Sequence, residues 1–150
     1  MLAALTLTVF VFTTSDCPIS NRYAPEVQRL ASVFGSQAKF VLVYPVAADT
    51  SPVIDEHKKK FGYTFEHVRD TEQKLVKRIG VTVTPEVAVM NGDTVLYRGR
   101  IDDRYVELGR ERARPTTHDL EDALKAAIAG TPIARKETRA VGCILSDLVK

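Results

Sequence analysis

The stretch VFVFTTSDCPIS, residues 9–20, decides the fold because it joins a run of strand-forming residues to a helix start through a cysteine. β-branched and aromatic residues dominate its first part, as in a buried strand. Pro18 suits the first turn of a helix, where its missing N–H is no loss. Cys17 therefore lies where free backbone N–H groups and the positive end of a helix dipole favour an anion. Such a position can lower a thiol pKa from about 8.5 to roughly 3.5–7.5, which makes Cys17 a candidate nucleophile.

The local sequence leaves a second interpretation of Cys17 open. Free cysteines are more commonly small, buried apolar residues than nucleophiles. Asp16, directly before Cys17, would also oppose thiolate formation if its carboxylate were close. Position alone therefore does not separate a catalytic thiol from a structural one.

The composition is that of an ordinary globular domain. The 150 residues suffice for one hydrophobic core, and 45% of them are apolar and 27% charged. The 21 basic and 19 acidic residues leave a net charge of +2, so we expect no nucleic-acid partner. His57, His67 and His118 fit no metal-ligand spacing, so we expect surface or capping histidines and no bound metal.

The first residues, MLAALTLTVFVF, have the apolar character of a secretory signal. They lack its basic start and its Ala-x-Ala-like cleavage site, and the alternation of Thr6 and Thr8 with apolar residues favours a strand. A strand that begins almost at Met1 leaves open an upstream export signal or anchor, and with it the compartment.

Helix and strand signals alternate along the rest of the chain. They predict helices over 18–35, 51–62, 71–80 and 118–130, strands over 38–46 and 65–70, and a β-hairpin around the NGD turn at 91–93. Asp70 and Gln73 form a capping-box-like pair before the third helix, and 109–117 is predicted to be a charged loop.

This order of elements predicts the architecture. Alternating strand–helix units followed by a hairpin indicate an α/β fold with a mixed central sheet flanked by helices on both faces. We expect this domain to span residues 1–130. Residues 131–150 show no clear period and are expected to form a C-terminal tail packed on the domain.

Two segments carry a family resemblance. Pro85 begins a strand, where its missing N–H is tolerated and a cis bond after Thr84 costs only about 0.5–1 kcal/mol. Together with VFVFTTSDCPIS, the segment KRIGVTVTPEVAVMNGDTVLYRGRID (77–102) resembles the thioredoxin-like superfamily, over most of residues 5–129. SNRYAPEVQRL (20–30) resembles a redoxin branch grouped with alkyl hydroperoxide reductases and thiol-specific antioxidant proteins. Glu86 after the proline is similar to the extracytoplasmic thioredoxin-like proteins of cytochrome c maturation.

The resemblance implies a set of site residues. Cys17 matches the first active-site cysteine and Pro85 the cis-proline that packs against it. Thr84 would offer the backbone that binds an extended substrate, and Pro18 would complete this substrate-binding surface. Thr14 and Cys17 match the Thr-x-x-Cys of peroxiredoxins, in which the threonine supports the reactive sulfur.

Two departures from the family patterns limit the activity that the resemblance implies. The Cys-x-x-Cys motif becomes CPIS, so Ser20 stands at the resolving position and cannot form a local disulfide. The peroxiredoxin proline is replaced by Phe10, and the peroxiredoxin arginine is absent where 83–85 stand. We expect Arg98 and Arg100, on the second strand of the hairpin, to be solvated.

Cys143, in AVGCILSD, is the second cysteine of the chain. It would resolve an oxidised Cys17 and restore a two-cysteine cycle. Two alternatives remain open: a permanent disulfide that ties down the tail, worth roughly 4–5 kcal/mol, and an unpaired buried thiol.

The sequence therefore predicts a thiol-dependent oxidoreductase without organic cofactor or metal. Its reaction is thiol–disulfide exchange or thiol-based peroxide reduction, and its partners are a protein or small-molecule thiol reductant and a peroxide or protein disulfide. The alternative is a non-catalytic module that binds an extended peptide or a metal beside Pro85. If an upstream signal was removed, we expect an extracytoplasmic location in a bacterium. The oligomeric state is left open.

Overall fold

The computed structural model describes residues 6–145, and its elements follow the predicted order. The elements are β1 (Leu7–Phe12), α1 (Pro18–Arg22), α2 (Ala24–Phe34), β2 (Ala38–Tyr44), α3 (Ser51–Phe61), β3 (His67–Arg69), α4 (Lys74–Ile79), β4 (Val83–Thr84), β5 (Glu86–Asn91), β6 (Thr94–Gly99), β7 (Tyr105–Glu107), β8 (Arg110–Glu111), α5 (Asp119–Ala129) and β9 (Cys143–Ile144). None of the helices within residues 6–145 is long and apolar enough to cross a membrane.

Five strands form the central sheet in the order β3-β2-β1-β5-β6. β1 lies at its centre, parallel to β2 and antiparallel to β5, and β5 and β6 form the predicted hairpin. Because side chains alternate along a strand, β1 sends Val9 and Val11 to one face and Phe10 and Phe12 to the other. The strand predicted from the first residues is therefore the centre of the sheet. The part of that prediction that falls on residues 1–5 lies outside the described residues.

Each face of the sheet has its own hydrophobic cluster. The larger cluster packs α2, α3 and α5 on the sheet through residues such as Leu30, Ile54 and Leu124. The smaller one packs α4 on the opposite face through Val76 and Ile79. The predicted α/β fold, with a mixed sheet flanked by helices on both faces, is confirmed.

The predicted first helix is broken in two. α1 ends at Arg22 and α2 begins at Ala24, with Tyr23 between them. Pro25 explains the break, since it has no N–H to donate to the carbonyl of Asn21 and its ring crowds that turn. The capping-box prediction is corrected too: Asp70 accepts the N–H groups of the first turn of α4, whereas the Gln73 side chain donates to a carbonyl of the loop after β2.

The described part of the C-terminal tail follows two edges of the domain. Its backbone first bonds to β6, where Arg98 N–H donates to Lys136 at 2.9 Å and Thr138 N–H donates to Arg98 at 3.1 Å. It then reaches β4, with which β9 pairs antiparallel. The region predicted as a charged loop, 109–117, contributes one strand, β8, which pairs with the preceding β7 in a small hairpin.

Candidate active site

Cys17 lies just beyond the end of β1 and is the N-cap of α1. The N–H of Ser20 points at the Cys17 sulfur over 3.4 Å, and Pro18 occupies the first turn. Cys17 is 1% exposed. A backbone N–H directed at the sulfur would stabilise a Cys17 thiolate in the reduced protein.

The Thr84–Pro85 peptide bond is cis and packs against Cys17. The carbonyl oxygen of Thr84 lies 3.3 Å from Cys17 Sγ. This carbonyl can accept a hydrogen bond from a reduced Cys17 thiol, whereas the sulfur of a disulfide has no hydrogen to donate. The predicted cis-proline beside the cysteine is confirmed.

Cys17 is bonded to Cys143. The two residues are 126 positions apart, and their Cα atoms are separated by 6.2 Å, within the usual range for a disulfide. Cys143 reaches Cys17 because β9 pairs with β4, which sets Cys143 opposite Thr84 and Ile144 opposite Val83. The disulfide therefore joins the two cysteines directly over the cis-proline loop.

A polar network supports the loop before Cys17. It consists of Ser15, Asn21, Tyr44, Asp49 and His57. Ser15 donates its N–H to Asp49 at 3.1 Å and its hydroxyl to the same carboxylate. Asn21 donates to the Ser15 carbonyl at 3.0 Å and accepts from His57 Nε2 at 2.7 Å. Tyr44 donates to His57 Nδ1 at 2.7 Å, which completes a chain of hydrogen bonds from α3 to the loop.

His57 corrects the prediction of surface or capping histidines. It is buried among aromatic rings, and its two nitrogens are both used in the polar network. Burial is the main cause that lowers its pKa. A neutral His57 that donates from Nε2 and accepts at Nδ1 fits both hydrogen bonds.

Arg98, on β6, and Arg100, directly after β6, are not the solvated residues that the sequence predicts. The Arg98 guanidinium donates to Gly80 at 2.7 Å and lies 3.4 Å from the buried carboxylate of Glu86. Arg100 pairs with Asp119 at 2.8 Å. The prediction fails because the tail and α5 cover this edge of the hairpin. Burial raises the pKa of Glu86, although the Thr82 N–H and Arg98 lower it in part.

Two buried hydroxyls within residues 6–145 have no hydrogen-bond partner, Ser20 Oγ and Thr84 Oγ1. Both belong to residues whose backbone contacts the Cys17 sulfur. Because a buried hydroxyl without a partner costs about 1–3 kcal/mol, such groups are rare in folded proteins. Among the described residues, buried hydroxyls without a hydrogen-bond partner therefore occur only around Cys17.

Thr14 and Pro18, the other predicted site residues, lie on either side of Cys17. Thr14 is buried, and its carbonyl accepts the Cys17 N–H at 3.2 Å. Pro18 is exposed. The structure thus brings all six predicted site residues to one place, while their roles remain predictions.

A second cluster of possible metal ligands lies away from Cys17. Ligand atoms of Glu26, Asp102 and His118 all lie within 4.8 Å of one another. Arg29 donates two hydrogen bonds to Glu26, and Tyr23 donates one of 2.6 Å to Asp102. Because both carboxylates already have strong donors, we assign no metal to this cluster.

Gly142 and Leu145 belong to the site but were not predicted. A Cβ at Gly142 would collide with the carbonyl of Thr84, so only glycine allows β9 this close to β4. Leu145 is 3% exposed and joins the smaller hydrophobic cluster. The sequence shows a glycine directly before Cys143 and an aliphatic residue two positions after it. Nothing in the sequence indicates that these residues lie against β4.

Known structures share this fold. A conserved, uncharacterised protein from Geobacillus kaustophilus has a TM-score of 0.79 and 25% identity, over 93% of this chain and 76% of that chain. A hypothetical protein from Sinorhizobium meliloti 1021 has a TM-score of 0.77 and 20% identity, over 95% and 80%. A secreted disulfide oxidoreductase from Mycobacterium tuberculosis, homologous to E. coli DsbE, has a TM-score of 0.54 and 20% identity, over 83% and 81%. No family model matches the chain, and no curated protein matches its sequence.

These similarities concern the fold. They agree with the order of elements, the cis-proline and the cysteine at the start of α1. The chain therefore has the thioredoxin-like fold that the sequence predicts.

Proposed function

We propose that this protein is a thiol–disulfide oxidoreductase in which Cys17 is the nucleophile and Cys143 the resolving thiol. One observation carries the proposal: the Cys17–Cys143 bridge lies against the cis-proline loop, where Cys143 pairs with Thr84. A bridge that only ties down a tail needs no contact with that loop. A resolving thiol has to reach the sulfur at the place where the substrate binds.

The first step uses the reduced protein. The Cys17 thiolate attacks one sulfur of a disulfide in a substrate protein. A bond forms between Cys17 and that sulfur, the S–S bond of the substrate breaks, and its second sulfur leaves as a thiolate. The Ser20 N–H, 3.4 Å from Cys17 Sγ, stabilises the attacking charge.

The second step releases the substrate. The Cys143 thiolate attacks Cys17 Sγ, the Cys17–Cys143 bond forms, and the remaining substrate sulfur leaves as a thiolate. Two electrons have then passed from the cysteine pair to the substrate disulfide, and the two protons that the cysteines lost are taken up by the two new thiols. Ser20 cannot replace Cys143 in this step because a hydroxyl does not form a disulfide.

A thiol reductant regenerates the pair. It attacks Cys143, whose side chain is more exposed than that of Cys17. Cys17 leaves as a thiolate stabilised by Ser20, and a leaving group with a lower pKa leaves faster. A second reductant thiol then frees Cys143, so that the reductant is oxidised to a disulfide.

A disulfide fits the site better than a peroxide does. The two arginines that could polarise a peroxide, Arg98 and Arg100, are held in ion pairs with Glu86 and Asp119. The edge of β4, in contrast, offers backbone groups to an extended chain, as β9 demonstrates by pairing with it.

We further propose that the cycle runs in an extracytoplasmic compartment. Disulfides persist in oxidising compartments, and the similar protein from M. tuberculosis is described as secreted. Rapid alkylation of intact cells of the source organism, followed by mass analysis, should find the Cys17–Cys143 bridge in the fraction outside the cytoplasm. Recovery of both thiols in the cytoplasmic fraction would contradict this location.

The proposed chemistry can be tested by stoichiometry. Reduced wild type, Cys17→Ser and Cys143→Ser are mixed with excess aromatic disulfide, and the released thiol and the protein mass are followed. Wild type should release two equivalents, carry no adduct and lose two hydrogens. Cys143→Ser should release one equivalent and keep one adduct, and Cys17→Ser should react more slowly.

Two results would contradict the proposal. One is wild type that keeps an adduct on each cysteine without forming the bridge. The other is a Cys17→Ser variant that reacts as fast as Cys143→Ser, because Cys17 would then have no special reactivity.

A further inference from the structure

The segment Cys143–Leu145, here called the tail strand, binds to the cis-proline loop as a separate peptide could. Cys143 lies opposite Thr84 and Ile144 opposite Val83, and the Leu145 N–H donates to Thr82 at 3.1 Å. These are main-chain contacts, and any extended chain can form them. Selectivity must therefore come from the side chains of the bound segment.

The two side chains after Cys143 point in opposite directions. Ile144 is 72% exposed, whereas Leu145 is 3% exposed. Leu145 fills an apolar pocket between α4 and the sheet, and its cluster consists of Phe12, Val43, Val76, Ile79, Val81, Ala88 and Met90. The side chain two positions after the reacting cysteine is thus the one that is buried in the domain.

The residue before the cysteine is limited by space. A Cβ at Gly142 would overlap the carbonyl of Thr84 and crowd the nitrogen of Pro85. Both of these atoms belong to the cis-proline loop, which cannot move away without disturbing its contact with Cys17. A segment that binds in the register of the tail strand therefore needs glycine at this position.

We propose that the groove between β4 and α4 selects protein substrates that present an extended Gly-Cys-x-Leu segment, and that the tail strand is this protein's own copy of that segment. The x position faces solvent, and any large aliphatic residue suits the leucine position. The inference rests on the proposed function and adds the class of substrate.

Competition with the tail strand increases the selectivity for substrates that carry the leucine. β9 has only two paired residues, so once the bridge is reduced the tail strand is held by few contacts. A substrate with leucine replaces the burial of Leu145 with that of an equivalent side chain. A substrate without it displaces Leu145 and leaves the pocket empty, which costs the transfer free energy of a buried leucine.

The test uses the full chain carrying Cys143→Ser and three synthetic peptides. The first is AVGCIL, the sequence of residues 140–145. The second has serine in place of its leucine, and the third has alanine in place of its glycine. Each peptide is coupled through its cysteine to thionitrobenzoate, so that attack by Cys17 on the peptide sulfur releases a coloured thiol. The same disulfide of free cysteine serves as the control without a peptide.

AVGCIL should react roughly tenfold or more faster than the serine peptide, since that factor corresponds to a buried leucine side chain. It should also react faster than the alanine peptide, whose added Cβ would overlap the Thr84 carbonyl. A second chain that combines Cys143→Ser with Leu145→Ser should react faster still with AVGCIL, because its own tail competes less. Equal rates for the three peptides would overturn this inference and leave the proposed function intact. Absence of reaction with all peptides and with the free-cysteine disulfide would overturn both.

Discussion

The two sides of Cys17 are built in different ways. On one side the polar network fixes the loop before Cys17 through hydrogen bonds that join it to α3. These bonds run from Tyr44 through His57 to Asn21, which donates to the Ser15 carbonyl. On the other side the tail strand adds two paired residues to β4, where the buried Thr84 hydroxyl lacks a partner in the described part of the chain. The difference suggests a division of labour. Under the proposed function, the first side would hold the nucleophile in place, and the tail strand on the second side would be exchanged for a substrate.

The largest effect should follow from breaking the bridge. The chain-entropy estimate for a loop of 126 residues is about 4–5 kcal/mol, so the reduced protein should lose up to that much free energy of unfolding. Urea unfolding of the oxidised and reduced forms measures the loss. Amides of β9 should also exchange with solvent much faster after reduction, while those of β1 stay protected. Equal stability of the two forms would contradict a bridge that restricts the unfolded chain as this estimate assumes.

A smaller effect is expected from Gly142→Ala, which acts on the tail side alone. The added Cβ meets the Thr84 carbonyl only when the tail strand is docked, so it should destabilise the oxidised form by about 1–3 kcal/mol. The midpoint potential should then rise by about 30 mV for each 1.4 kcal/mol. Val141→Ala is the control, since it adds no atom near Thr84. Equal potentials for the two variants would contradict the close approach of β9 to β4.

Arg98→Gln tests the support behind the cis-proline loop. It removes the cation that faces Glu86, whose carboxylate is 3% exposed, and we expect a loss of about 1–3 kcal/mol in unfolding free energy. Arg78→Gln is the matched control, because it removes an exposed ion pair with Asp93 that is worth at most about 1 kcal/mol. Thermal or urea unfolding compares the two. If both variants lose the same small amount of unfolding free energy, Arg98 does not stabilise the buried carboxylate of Glu86.

The smallest expected effect is a pH dependence of the polar network. The pKa of His57 is lowered in the folded protein, so only the unfolded chain binds a proton there as the pH falls through about 6.5. The contribution of His57 to stability is therefore fully present above that pH. It declines below that pH until the lower folded pKa is reached. Comparing wild type with His57→Gln isolates this change from the titration of the buried carboxylates.

The His57 comparison is made on the difference in unfolding free energy between the two proteins from pH 8 to pH 5. Wild type should lose stability relative to His57→Gln over this range. A difference that stays constant with pH would mean that His57 has the same proton affinity in the folded and unfolded chains.

Much of this arrangement was predictable from the sequence. The apolar run before Cys17, Pro18 at the helix start, and the proline before the hairpin each depend on short-range rules of chain geometry. These rules therefore predicted the fold, the position of Cys17 and a cis bond after Thr84. The same rules missed the break at Tyr23, because the effect of Pro25 on a helix depends on which turn it falls in.

The rest depended on contacts between distant parts of the chain. The pairing of Cys143 with Thr84 spans 59 positions of sequence and is made by a strand of only two residues, which leaves no periodic pattern. The burial of His57 and the ion pairs of Arg98 and Arg100 likewise depend on which element covers them. Residue type alone predicted that these polar side chains are exposed to solvent. In the folded chain, neighbouring elements cover them.

The central claim is that the Cys17–Cys143 bridge is a reversible redox pair. The most direct measurement treats the oxidised protein with a dithiol reductant under native conditions, then with a protein disulfide, over repeated cycles. Alkylation and intact mass report the bridge at each stage. We predict that the bridge opens without denaturant and forms again in every cycle, with one substrate disulfide reduced each time. A bridge that resists the reductant until the protein is unfolded would contradict the account, and would mean that the disulfide is a fixed tie for the tail.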